Sequence, residues 1–522
     1  MATHVEVMAQ ALAERGVEYV FGLPGGEILA FVDACRRAGM RFLLTGHEAS
    51  AAWMAQVVGQ ITGVPGVCCS TLGPGATNLV TAVANAYLDR APLLAVTAQT
   101  ASRAVATMTH QRLPLREMFS PLVKASVEIG EWNTWEIMQD ALELAEVPRP
   151  GPVHIGIPSD RAREMASATS TARSVSGRGG TGLQPVLIDR ILAAERPLVI
   201  VGLGAIPSAA PAVRGLIDKL QAPFLVTPKV KGIVPEDHPL FLGVASGMCI
   251  DGDILETIRT ADLLVGIGFD PVECDKTWFA DVDVVAIDAV SMAEGDYQPR
   301  EAIGNVPSLV DRLAASLPGP KSWPPELLAS RRAAIRREPA EGLSPLRLIE
   351  ELRAVFPRDG IATCDVGSHK LAIGQFWRSY EPGTFFMSNG LSGMGFGIPA
   401  AIGAQLVLRD KPVIAMVGDG GMLMMLHDLV LIRELGLPIL IVVFSDRSLS
   451  LIRVSSERKG FPPYGVDFCP PDFAAVAAAF GIAGRRVASI EEVRACAEQA
   501  LSSKMPFVMD VPLDYREYYD LV

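Results

Sequence analysis

The chain has 522 residues, of which 49% are hydrophobic and 20% charged; that is too long for a single hydrophobic core and predicts about three domains. A formal net charge of −12 argues against a nucleic-acid partner, whose contact face should be basic, so any anionic ligand has to be held by backbone dipoles or a bridging cation. The eight scattered cysteines, without a Cys-x-x-Cys, predict reduced thiols in a cytoplasmic protein; the opening "MATHVEVMAQALAERG" has no signal-peptide core, and no apolar run approaches the roughly 18 residues of a membrane span.

Along the first 165 residues, helical and strand patterns alternate. "HVEVMAQALAER" is an amphipathic helix stopped at Gly16, "EYVFGL" a strand, "PGG" a turn and "EILAFVDACRRA" a helix ended by Gly39. Then come the strand "RFLL", the helix "EASAAWMAQVVGQI", the strand "GVCCST", the helix "ATNLVTAVANAYLD" and the strand "PLLAVTA". Strands alternating with helices of this length predict βαβ units and a parallel sheet. The stretch "REMASATSTARSVSGRGGTG" has no periodicity and reads as a linker. A second series, 184–318, contains "RPLVIVGLGA", "APFLVTP", "DLLVGIGFDP" and "DVVAIDA". A second linker with some helix, "LPGPKSWPPELLASRRAAIRREPAEG", leads to a third series, 342–522, with "GIATCDVGS", "GFGIPAAIGAQLVL", "KPVIAMVGDGG" and "LPILIVVFSD". The expected fold is α/β, with three doubly wound parallel-sheet domains.

The strand "KPVIAMVGDGG" ends in a carboxylate between glycines. Alone, such an Asp is an ordinary turn residue. Its flanks point elsewhere. The pattern predicts a helix over "MLMMLHDLVLIREL", closed by Gly436 and Pro438, and then a buried strand "ILIVVF" ending in "SDRS". Asp419 and Asp446 therefore stand 27 residues apart, each at a strand's C-terminal end, where open α/β sheets bind ligands. Two carboxylates beside a glycine-rich helix start suit Mg²⁺ bridging to a diphosphate. The N–H groups of Gly420 and Gly421 can face that phosphate.

With these residues in place, the chain resembles the thiamine diphosphate-dependent enzymes, and among them the acetolactate synthase-like group. Besides Gly418-Asp419-Gly420, the resemblance rests on "GHEASAAWMA", "TLGPGATNLVTAVANAYLDRAPLLAVTAQ", "GPVHIGIPSD", "KGIVPEDHPLFLG", "DVGSH" and "SNGLSGMGFGIPAAIGA", in order over the whole chain. It implies a pyrimidine-binding domain over 1–165, a middle domain over 184–318 and a diphosphate-binding domain over 342–522. It implies that Glu48 is the carboxylate that activates the aminopyrimidine ring, where by itself it would read as an acidic residue opening a helix. Met394 matches the side chain over which the cofactor bends, and the backbone of Ser392 and Met394 matches the groups that pair with the pyrimidine. Gly73, Thr71 and Asn78 lie near the same cofactor edge by the resemblance. Gly367, Ser368 and His369 match the loop over the diphosphate, with Ser368 replacing a longer polar side chain. The carbonyl of Ser448 matches a backbone metal ligand.

The chain departs from the pattern in three further places. The usual second side-chain metal ligand is Asn, and here it is Asp446. Related decarboxylases carry two His where this chain has His110-Gln111, and acetolactate synthases carry Phe-Gln. His suits proton transfer near neutral pH; an isolated loop His is otherwise a surface residue. In the middle domain, "VGLGA" lacks the third glycine of G-x-G-x-x-G. Acetolactate synthases bind FAD in that domain, but "GIGFDPVECDKTWF" departs from their flavin-contacting string, so FAD is not expected.

The resemblance implies a 2-oxo acid decarboxylase/carboligase acting on small carbonyl substrates. Alternatives are a simple decarboxylase releasing aldehyde, or a lyase or hydrolase of hydroxyketones or diketones. A catalytically silent cofactor-binding protein is a fourth reading; Glu48 argues against it, because binding alone does not call for a ring-activating carboxylate. The resemblance also implies a homodimer or homotetramer with active sites between subunits. "VSSERKGFPPYGVDF" reads as a candidate lid.

Overall fold

A computed structural model describes residues 2–103, 110–130, 133–166, 181–245, 247–274 and 282–521. Most of the first linker, and part of the middle-domain string compared with flavin contacts, fall outside these residues. Three six-stranded, all-parallel sheets carry the architecture, interleaved with helices. The first holds β1 (Tyr19–Leu23), β2 (Arg41–Leu44), β3 (Gly66–Ser70), β4 (Leu93–Gln99), β5 (Ala125–Glu128) and β6 (Pro152–Pro158), in the order β2-β1-β3-β4-β6-β5. β3 and β6 are buried along their whole length and β4 in all but its last residue, as expected for strands covered on both faces.

The second sheet holds β7 (Pro197–Val201), β8 (Phe224–Val226), β9 (Phe241–Val244), β10 (Leu263–Ile267), β11 (Val284–Asp288) and β12 (Arg300–Ile303). Its order is β12-β11-β10-β7-β8-β9. Read from β9, this is the 3-2-1-4-5-6 order of dinucleotide-binding sheets. The third sheet holds β13 (Ile361–Cys364), β14 (Phe385–Met387), β15 (Val413–Gly418), β16 (Ile439–Ser445), β17 (Ala483–Arg486) and β18 (Phe507–Pro512). Its order, β14-β13-β15-β16-β18-β17, repeats that of the first sheet. The direction of winding reverses between β1 and β3, between β7 and β10, and between β13 and β15. Those switch points are where such sheets take ligands.

The chain divides into two units. One contains residues 1–176 with 390–410 and 424–439. It comprises the first sheet and two helices from the third series, Gly397–Val407 and Asp428–Leu435. The glycine and alanine content of Gly397–Val407 lets it lie close to the helix Glu48–Thr62; a Cβ on Gly403 would stand 2.7 Å from the Met54 carbonyl oxygen. The other unit contains 177–389 with 411–423 and 440–522, and hence the remaining two sheets. Within it Lys231 and Glu236 form a buried ion pair at 2.8 Å. The Lys229 ammonium donates to the Met387 carbonyl at 2.9 Å.

The continuous helix expected over 422–435 is two helices, Asp419–Met424 and Asp428–Leu435. No Pro or Gly marks the break, so local propensity does not cause it. Side-chain partners around Met425–Asp428 account for it, as the site shows.

Candidate active site

In the first unit, the residues gather on the starts of two neighbouring helices. His47 caps Glu48–Thr62 by accepting from the Ala49 N–H at 3.1 Å, and the helix stops at Gly63 in the left-handed region. Glu48, in its first turn, is only 4% exposed. The second helix, Pro74–Leu88, begins with Pro in its first turn, after Gly73 at φ 61°. The Asn78 amide donates to Glu48 Oε2 at 2.9 Å. A Cβ on Gly75 would approach Glu48 Oε1 to 3.1 Å, so glycine keeps space beside the carboxylate. A Cβ on Gly73 would stand 2.8 Å from Gln111 Cβ, which seats Gln111 against the turn that opens this helix. His110 and Gln111 are both exposed, and Gln111 has φ 53°. The Thr71 hydroxyl donates to Glu27 at 2.9 Å.

The loop bearing Ser392 and Met394 belongs to the same unit. It is pinned at one end by the Gly390 N–H, which donates to Asp89 at 2.9 Å. It runs over Trp53, with Cβ positions on Gly393 and Gly395 lying 3.5 Å and 3.3 Å from the indole ring. Ser392 is exposed, with φ 53°, and Met394 is half-buried.

Sequence reading missed a cluster behind Glu48. The Ser50 hydroxyl donates to Asp428 at 2.9 Å and lies 3.1 Å from His427 Nε2; it also meets the Met425 sulfur. Asp428 is buried, and burial pushes its carboxyl up to about 7 despite the Ser50 bond. Burial, then His47, pulls the His427 imidazole down. These contacts hold the turn between the two short helices. Ser50 and Asp428 are 378 residues apart, and no local pattern announces the pair.

In the second unit, the loops after β13, β15 and β16 form the other group. Asp419 Oδ1 accepts from the Gly420 N–H at 2.8 Å and Oδ2 from the Arg447 N–H at 2.7 Å. Asp446 accepts from the Ser448 N–H at 3.1 Å and from the Ser450 hydroxyl. Burial, then the neighbouring Asp446 charge, raises Asp419 to about 7; burial raises Asp446 to about 6. Among the described residues no group of three or more His, Cys, Asp or Glu could hold a metal. Asp365, which sequence reading quoted but did not select, stands where a Cβ on Gly421 would come within 2.2 Å of its oxygen.

His369 is buried and stacked on Phe444 at 5.6 Å; burial drives its imidazole down to about 3, so it is neutral. A Cβ on Gly367 or Gly418 would meet its ring at 2.7–2.8 Å. The Ser368 hydroxyl and His369 Nε2 are buried without a hydrogen-bond partner. Buried polar atoms of this kind require one, and a bound diphosphate would supply it. The residues therefore fit thiamine diphosphate with a divalent cation. On the outer side, the Arg447 guanidinium donates to the sulfur of Cys469 at 3.7 Å.

Comparison with known proteins agrees with this chemistry. Residues 2–121 match the thiamine pyrophosphate enzyme N-terminal TPP binding domain, 186–311 the central domain and 365–511 the C-terminal TPP binding domain. An acetolactate synthase of Bacillus subtilis is 32% identical over 99% of this chain and 94% of that protein. A probable acetolactate synthase large subunit of Methanococcus aeolicus is 31% identical, covering 98% and 92%. A probable 2-ketoarginine decarboxylase of Pseudomonas aeruginosa is 29% identical, covering 94% and 90%. The chain belongs to the acetolactate synthase-like family of thiamine pyrophosphate enzymes, which catalyse decarboxylation and carboligation.

Proposed function

We propose that this enzyme decarboxylates a 2-oxo acid and transfers the acyl unit to an acceptor carbonyl in preference to releasing it as aldehyde. When bound, thiamine diphosphate supplies a nucleophilic carbon and an electron sink. Glu48 shares a proton with the aminopyrimidine ring, and Asn78 orients that carboxylate. The loop of Ser392 and Met394 positions the same ring, while Gly73 and Gly75 leave room beside it. Asp419, Asp446 and the Ser448 carbonyl hold Mg²⁺. Gly367, Ser368, His369 and the Gly418–Gly421 turn receive the diphosphate. A second copy of the chain completes each active site, in a homodimer or homotetramer. None of the eight cysteines is in a disulfide, which supports a reducing, cytoplasmic setting.

The observation that carries the preference for ligation is Gln111, packed against the Gly73 turn. Its amide can hydrogen-bond an acceptor carbonyl but cannot deliver a proton. His110 is the neighbouring group able to move one. Aldehyde release is the second reading, favoured by the 2-ketoarginine decarboxylase relative. The test is a panel of 2-oxo acids with Mg²⁺ and thiamine diphosphate, with products identified by NMR. Ligated product should dominate when an acceptor is present, and Gln111→His should move the ratio toward aldehyde. Free aldehyde as the main wild-type product, for every donor and acceptor turned over, overturns the proposal.

A further inference from the structure

The middle sheet has the strand order of a dinucleotide-binding domain, yet its switch point is already filled. The turn after β7 and the turn after β10 meet there. The Gly202 N–H donates to the Ile267 carbonyl at 2.9 Å, and the Gly204 N–H to the Gly268 carbonyl at 2.8 Å. The contact is too close for side chains. A Cβ on Gly268, at φ 61°, would lie 2.1 Å from the Ala205 nitrogen, and one on Gly202 would lie 2.6 Å from Phe269 Cα. In a nucleotide-binding sheet, this first turn presents its N–H groups to phosphate. Here the Leu203 N–H donates instead to Glu273 Oε2 at 2.9 Å. The same oxygen lies 3.1 Å from the Cβ position of Gly202. Glu273 is 5% exposed and follows β10 on the short turn Pro271–Glu273.

We propose that Glu273 is a built-in occupant of the middle-domain crevice. Its carboxyl takes the place and the backbone N–H that a nucleotide diphosphate needs, beside closely packed glycine turns. The residues present do not fit FAD, the group that the family resemblance raised for this domain. The inference concerns a different site from the proposed reaction and stands apart from it.

The test measures ADP and FAD binding by equilibrium dialysis on the full-length protein. The wild type should retain neither. Glu273→Ala frees the Leu203 N–H and should bind ADP at least tenfold more tightly than wild type. Glu273→Gln, which fills the same space and can still accept from Leu203, should remain like wild type. Stoichiometric FAD on the wild type overturns the proposal, as does a folded Glu273→Ala that binds ADP no better. If Glu273→Ala fails to fold, amide hydrogen exchange of the wild-type 202–206 turn decides. Exchange unchanged by excess ADP or FAD supports a filled crevice; added protection overturns it.

Discussion

The Asn78 amide holds the Glu48 carboxylate across 2.9 Å, joining the first turn of one helix to the second turn of another that begins 26 residues later. Glu48→Gln should therefore bind cofactor but slow exchange of the thiazolium C2 proton by roughly 10²–10⁴-fold, the range for a general acid–base group. Asn78→Ala removes only the orienting bond and should slow exchange by roughly 2–10-fold, matching a net hydrogen-bond contribution of about 0.5–1.5 kcal/mol. NMR exchange rates in D₂O check both. A wild-type rate in Glu48→Gln removes Glu48 from ring activation.

Cofactor binding should require a divalent metal. Without the cation a diphosphate would face the buried Asp419 and the half-buried Asp446, so Asp419→Ala should abolish binding. Asp446→Asn should be milder. An amide oxygen remains as a ligand, and loss of the Asp446 charge relieves the repulsion that helps raise Asp419. Fluorescence titration with thiamine diphosphate in Mg²⁺ and in EDTA is the measurement. Undiminished affinity in EDTA contradicts the assignment.

The sheets were legible because continuous apolar runs such as Val67–Cys69 and Ile439–Phe444 are buried as parallel strands. The placement of Asp419 and Asp446 just past the ends of adjacent strands was legible because the apolar runs before them and the glycines between are local signals. The break at Met425–His427 was not. Its sequence keeps helical composition, and the contacts that bend it come from Ser50 on another helix. The division into two units was equally hidden. Helix Gly397–Val407 is apolar all round, which says that it is covered but not by which sheet's helices.

Asp428 should make stability depend on pH. Its folded-state carboxyl titrates near 7, against an ordinary value of about 3.9. Between these limits the folded protein binds more protons than the unfolded chain, so this group's contribution to stability falls as pH rises. Asp428→Asn should remove that contribution while still accepting from Ser50. Its stability advantage over wild type, read as a rise in Tm, should grow from pH 5 to pH 8, by at most about 1.4 kcal/mol for each pKa unit removed. Thermal melts of both proteins in excess Mg²⁺ read this. A difference that stays constant with pH shows that Asp428 is ionised in the folded state throughout.

The Lys231–Glu236 pair has both side chains fully buried. Burial lowers the ammonium and raises the carboxyl, and mutual attraction opposes both shifts. Lys231→Met leaves Glu236 buried without its cation and should cost roughly 3–5 kcal/mol. Lys231→Met combined with Glu236→Gln should recover much of this, because no uncompensated charge remains. Denaturant unfolding of the two variants makes the comparison. Equal losses in both would show that packing of Lys231 on the Phe385 ring, rather than charge pairing, dominates.

Cys469 is the exposed thiol among eight, with Cys274 half-buried and the other six buried. It contacts Arg447, whose own N–H holds Asp419. A thiol-reactive dye under mild conditions should thus label chiefly one position, directly outside the metal loop. The protein carries a native attachment point for an optical reporter, and ligand binding at the loops after β15 and β16 can be followed there without introducing a cysteine.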